Sequence, residues 1–225
     1  MTFSIAAHCH RTGQFGVSVA SSSPAVAARC AYARAGVGAV TTQNITDPRL
    51  GPRALGMLAS GLGAADACAA LQRQAAHPQY RQLTLVDRHG GTAHFSGAKA
   101  LGVFNEASGR NVVSAGNLLA NPGIPAAIVA AFEASHETDD LGDRLLAAMR
   151  AGLAAGGEAG PIKSAGLILV DKAEWPIADL RIDWHDEPIA ALSALWDIWK
   201  PQMHDYVTRA LNPAAAPSYG VPGDA

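Results

Sequence analysis

Thr2 has the most chemically consequential position in the chain. It follows the initiator Met1, and methionine aminopeptidases remove that residue when the next side chain is small, so the mature chain is expected to begin with a free Thr2 amine. Such an amine has a reference pKa of about 7.7–8.0, close enough to neutrality to act as a base. A threonine hydroxyl is a poor nucleophile alone, but an adjacent α-amino group can take its proton. Thr2 also opens the β-like run Thr2-Phe3-Ser4-Ile5, which holds it at a strand end. Threonine in second place is also common in chains that do no chemistry, so position alone leaves both readings open.

His8-Cys9-His10 is the other dense group of reactive side chains. On a strand His8 and His10 would point to one face and could share an ion, a route to a metal-dependent hydrolase. Polar residues at a hairpin end are the simpler and preferred account, since the remaining histidines form no HExxH, and no metal is assigned. Thr42-Gln43-Asn44 closes a strand with three hydrogen-bonding side chains, and Gly116-Asn117 follows another. Either Asn amide can donate to an oxyanion, and glycine lets the backbone approach a substrate; ordinary turn chemistry is the alternative. The segment Gly156–Ser164 lacks Gly-Lys-Ser and contains Pro161, so it reads as a glycine-rich connection that brings Lys163 toward a cleft, not as a phosphate loop. No Gly-x-Ser-x-Gly elbow is present.

The elements that must position these residues alternate in type. Phe3–Ala7 and Phe15–Ala20 are β-like and joined by a polar turn, and Gly36–Thr42 is a third strand. Leucines at helical spacing from Leu55, then Ala64–Ala76, predict two helices. Gln82–Asp87 and Thr92–Phe95 flank a hairpin turn, and Asn111–Ala115 is another strand. Asn121-Pro122 predicts a helix start, with helices over Pro122–His136 and Leu141–Ala155. Ala165–Asp171 and Ala178–Asp183 are strands, and Glu187–Leu211 is helical with a break at Pro201. Strand pairs separated by helix pairs predict an α+β fold with sheets and helices in separate layers. One domain over 1–211 and a flexible tail over 212–225 are expected.

With 225 residues, 49% hydrophobic and 16% charged, the chain has a composition that excludes charge-driven disorder. A net charge of −2 gives no basic face, so nucleic acid and membrane surfaces are not expected partners. Its three cysteines include no CxxC pair, and no signal-peptide pattern opens the chain, which points to reduced thiols and a cytoplasmic location.

Several motifs, in order, resemble one family. Thr2-Phe3-Ser4-Ile5, Phe15–Ser21, Ala35–Gln43, Gly51-Pro52-Arg53, Tyr80-Arg81-Gln82, Phe95-Ser96-Gly97, Gly116-Asn117-Leu118-Leu119 and Asp179–Asp183 with Glu187-Pro188-Ile189 are similar to the DUF1028 family over roughly residues 2–200. The resemblance implies a four-layer αββα sandwich of the N-terminal-nucleophile (Ntn) hydrolase type. The family's biochemical role is largely unassigned; taken with the position of Thr2, the fold type leads to the expectation of an amidohydrolase in which Thr2 attacks a C–N amide of a small polar molecule, Asn117 with Gly116 holds the oxyanion, and no cofactor is needed. Ser21, Ser22, Thr42, Gln43, Asn44, Lys163 and Ser164 are the expected pocket residues, with Lys163 suited to a substrate carboxylate. The chain departs from the family where an arginine-rich stretch is usual: it has Gly157-Glu158-Ala159-Gly160-Pro161-Ile162-Lys163-Ser164-Ala165, which implies an altered substrate or a lost activity. A homo-oligomer (dimer) is expected on either reading; the rival class is a non-catalytic binding or assembly protein on the same fold, which could bury the Trp196/Trp199 face against a partner. Two Trp three residues apart on a helix more simply pack on their own core.

Overall fold

The computed structural model describes residues 2–223. In chain order the elements are β1 (Thr2–His8), β2 (Phe15–Ser21), a single turn α1 (Ala27–Cys30), β3 (Ala31–Arg34), β4 (Gly38–Asn44), α2 (Leu50–Ala59) and α3 (Ala64–Gln74). Then come β5 (Arg81–Asp87), β6 (Thr92–Ser96), β7 (Asn105–Gly109), β8 (Val112–Asn117), α4 (Ile124–Ala134) and α5 (Leu141–Ala154). The chain closes with β9 (Ser164–Val170), β10 (Ala178–Ile182), α6 (Pro188–Trp199) and α7 (Met203–Leu211).

The strands form two antiparallel sheets, one ordered β10-β9-β2-β1-β8-β7 and the other β3-β4-β5-β6. Alternation along β1 explains the layering. Phe3, Ile5 and Ala7 pack with Ile128, Phe132, Leu145 and Leu192 of α4, α5 and α6, while Ala6 points the other way, among Val17, Val19, Ala39 and Val86 between the sheets. On the far side Val40, Leu83 and Leu85 pack against Leu50, Leu58 and Leu71 of α2 and α3. Three apolar layers therefore join helices, sheet, sheet and helices: an α+β, four-layer αββα sandwich. Every residue of β1 and β2 is buried, because both faces of the central strands are covered.

Several boundaries moved. The helix expected from Pro122 begins at Ile124, because Asn121 Oδ1 caps the Gly123 N–H in a preceding turn. The long C-terminal helix, by contrast, is interrupted at 200–202 around Pro201, where the break was expected. β3 and β7, short and rich in Ala and polar residues, carry no strong strand pattern and form because neighbours β4 and β8 offer them unpaired edges. Trp196 and Trp199 pack on the chain's own elements. Trp196 lies against Gly142 of α5 and donates its Nε1–H to Asp143. Trp199 donates to the Ile177 carbonyl and stacks on Tyr206. Among the described residues no helix is long and apolar enough to cross a membrane.

Candidate active site

Antiparallel register brings one end of four strands together. Thr2 of β1 lies opposite Asn117 of β8. Phe3 pairs with Ala20, so the Thr2 row continues to Ser21 of β2, which in turn lies opposite Ser164 of β9. Two-residue periodicity then turns Thr2, Ser4, Ser21 and Asn117 toward the second sheet, where Gln43 of β4 and Gln82 of β5 meet them. Here the apolar filling between the sheets gives way to buried polar groups.

Those groups satisfy one another. Ser4 Oγ donates to Gln43 Oε1 at 2.7 Å, and Gln43 Nε2 donates to Gln82 Oε1 at 2.8 Å and to the Ala115 carbonyl. Gln82 Nε2 donates to Ser96 Oγ and the Gly116 carbonyl, while Asn117 Nδ2 donates to Gln82 Oε1 at 3.1 Å. Asn117 Oδ1 is buried and accepts no hydrogen bond. Such an orphan acceptor costs stability unless a ligand or water meets it. On the β2 side Thr2 Oγ1 lies 3.4 Å from Ser21 Oγ, which contacts Ser23 Oγ at 2.8 Å, and Arg29 donates to Ser23 at 2.7 Å. A chain of hydroxyls thus runs from Thr2 to a guanidinium.

Glu158 closes the end of this arrangement. Gly156 and Gly157, with φ of +126° and +59°, make a turn that residues with a Cβ rarely adopt. The turn lays the next residues beside the exit of β8, with Glu158 bridging to Leu119 and Ala120 N–H donating to the Gly157 carbonyl. The carboxylate accepts the Ser22 N–H at 3.1–3.2 Å from both oxygens. Burial pushes its pKa up to about 7, against the opposing pull of the amino-terminal charge and the Ser22 hydrogen bonds.

The expected pocket residues separate into two groups. Thr2, Ser21, Gln43, Gly116 and Asn117 converge between the sheets, and Ser22 contributes its backbone at the rim. Thr42 points the opposite way, its hydroxyl donating to the Asp47 carbonyl beside α2, because it sits one residue out of phase with Gln43. Asn44, at φ +74°, bonds Tyr80 and Leu101 and so holds loops together. Ser164 Oγ donates to the Ser23 carbonyl and accepts Val26 N–H, bracing the turn after β2. Lys163 is paired with Asp186 and lies over the Trp184 ring. Gln82, Ser23, Arg29 and Glu158 were not foreseen as site residues. The alternation of β5, with Leu83 and Leu85 on one face, already placed Gln82 on the other; no comparable sequence signal marked Arg29.

At the other end of β1 the histidine pair is not assembled. The strand stops at His8, so His10 lies in the turn and the two rings are 6.5 Å apart and edge-on. His8 stacks on Phe15 instead. Among the described residues no three His, Cys, Asp or Glu side chains come close enough to hold a metal ion.

A family model described as "Family of unknown function (DUF1028)" matches residues 2–192. The chain belongs to the DUF1028 family. The crystal structure of protein SPO2555 from Silicibacter pomeroyi, of the same family, is similar over 91% of this chain and 89% of that one, with 30% identity and a TM-score of 0.82. Two Anbu (ancestral β-subunit) structures cover about as much of this chain at lower likeness: that from Yersinia bercovieri is 10% identical with a TM-score of 0.37, and that from Hyphomicrobium sp. strain MC1 is 9% identical with a TM-score of 0.39. No curated protein matches the chain. For a DUF1028 chain, the polar end of the sandwich is therefore the functional clue that its own geometry provides.

Proposed function

We propose that the protein is a threonine-type Ntn amidohydrolase. The observation that carries this reading is the location of Thr2: it begins a central strand, is buried, and faces a cluster of hydrogen-bonding side chains between two sheets. In the proposed reaction the Thr2 amine takes the Oγ1 proton as Oγ1 bonds to the amide carbon. The tetrahedral oxyanion is held by Asn117, whose amide has a second N–H beyond the one given to Gln82. Collapse breaks the C–N bond, and the ammonium returns its proton to the departing amine. Water, deprotonated by the same amine, then hydrolyses the acyl ester and regenerates Thr2. No cofactor is called for, because base and nucleophile belong to one residue. A small polar amide suits a site built from serine, glutamine and asparagine side chains.

Intact mass and N-terminal sequencing of untagged protein come first, since Met1 lies outside the described residues and its removal exposes the base. Protein beginning at Thr2 is expected to take one equivalent of a β-lactone on Thr2. Thr2→Ala should abolish labelling completely and keep its circular dichroism. Retained labelling in that variant, or no labelling of a chain that does begin at Thr2, overturns the mechanism and favours a non-catalytic binding protein on the same fold.

A further inference from the structure

Glu158 occupies a place that the reaction above leaves unused. In the first sheet β1 lies between β2 and β8. Glu158 is tied to the exits of both neighbours: its carboxylate accepts the N–H of Ser22, one residue past the end of β2, and its backbone bridges to Leu119, two residues past the end of β8. It therefore spans the end of the strand that begins with Thr2. Gly157, the residue before it, lies near Phe3 of the same strand: a Cβ built there would come within 3.7 Å of the Phe3 ring. A carboxyl group only 5% exposed is costly to ionise without a cationic partner.

We propose that Glu158 is the positioning residue for the Thr2 amine: once the chain begins at Thr2, its carboxylate pairs with the ammonium and fixes that group over the start of β1. The inference rests on the reading of Thr2 as nucleophile. The nearby cations are otherwise engaged. Arg29 donates to Ser23 and to the Pro24 and Ala25 carbonyls, Lys163 is paired with Asp186, and Arg150 donates to Ser193. Asp186, Glu187 and Arg150 share with Glu158 the lining of an adjoining groove of about 470 Å³, and a carboxylate there adds to the local preference for a cation. Pairing holds the amine at one rotamer against Oγ1 while raising its proton affinity, so Glu158 trades some of the free base at neutral pH for orientation.

The test uses the full chain prepared to begin at Thr2 and needs no substrate. The pH dependence of acetylation of the Thr2 amine by trace acetic anhydride, read by mass spectrometry of the N-terminal peptide, gives the amine's midpoint. Glu158→Gln is expected to lower that midpoint by about one pH unit, a tenfold fall in proton affinity. Glu158→Asp, which keeps the charge but withdraws it by a methylene, should lower it by less. An unchanged midpoint in folded Glu158→Gln overturns the pairing; should that variant not fold, an unchanged midpoint in Glu158→Asp does so. Failure of β-lactone labelling alongside a shifted midpoint would sink the nucleophile, not the pairing.

Discussion

Both ends of β1 carry polar side chains, Thr2 and Ser4 at one and His8 at the other, but they meet different surroundings across the sandwich. At the Thr2 end the facing strands offer Gln43 and Gln82, and nearly every donor and acceptor finds a partner. At the His8 end the neighbour is the Phe15 ring, and His8 Nδ1 is buried with no hydrogen bond. Burial drives the His8 pKa down, reinforced by His10 and His89 and opposed by Asp87, so the ring is favoured neutral. The two clusters thus differ in kind: one is a hydrogen-bonded network around the proposed nucleophile with Asn117 Oδ1 left over, the other a histidine tolerated in an apolar stack.

The strongest way to break this contrast, after Thr2→Ala, is Gln82→Leu. Gln82 makes four hydrogen bonds, to Gln43, Asn117, Ser96 and the Gly116 carbonyl, and leucine would leave buried partners unpaired. A loss of about 2–5 kcal/mol in urea unfolding is expected; a change below about 1 kcal/mol would show that the network is not tightly satisfied. His8→Phe should do the opposite at the other end. It removes the orphan nitrogen, keeps the stack on Phe15, and should stabilise the fold by about 1 kcal/mol without altering Thr2 labelling.

The pH dependence sharpens the same point. His8 binds its proton less readily when folded than when unfolded, so the wild type loses stability as pH falls from about 6.5 through its lowered folded value. Unfolding at pH 5 and pH 8 should show that loss reduced in His8→Phe; an unreduced loss would assign it to another group. The smallest effect belongs to Lys163→Ala. Its partner Asp186 is exposed, so the melting temperature should stay within about 1 °C. A raised KM for a carboxylate-bearing substrate would restore Lys163 to the recognition surface, and an unchanged one would leave it outside.

Much of this site was legible from alternation. Thr2 and Ser4 share a strand face, as do Gln43 and Thr41, and the order of strands and helices was enough to expect separate layers. Thr42 and Asn44 were misassigned because adjacency in sequence means opposite faces on a strand, so a run of three polar residues cannot supply three side chains to one site. Lys163 and Ser164 fell to partners contributed by distant segments, Asp186 and the turn at Ser23.

The sequence by itself determined the two-residue rhythm of β1, β4 and β5, the glycine turn before Glu158 and the place of a threonine at the start of β1, since each depends on local geometry or on a single residue's identity. Only the tertiary structure decided which polar residues meet. Gln43, Gln82 and Asn117 lie on three strands from two sheets, and Glu158 reaches the start of β1 after more than 150 residues of chain. Sheet stacking and strand register, which no local propensity encodes, bring them to one end of the sandwich.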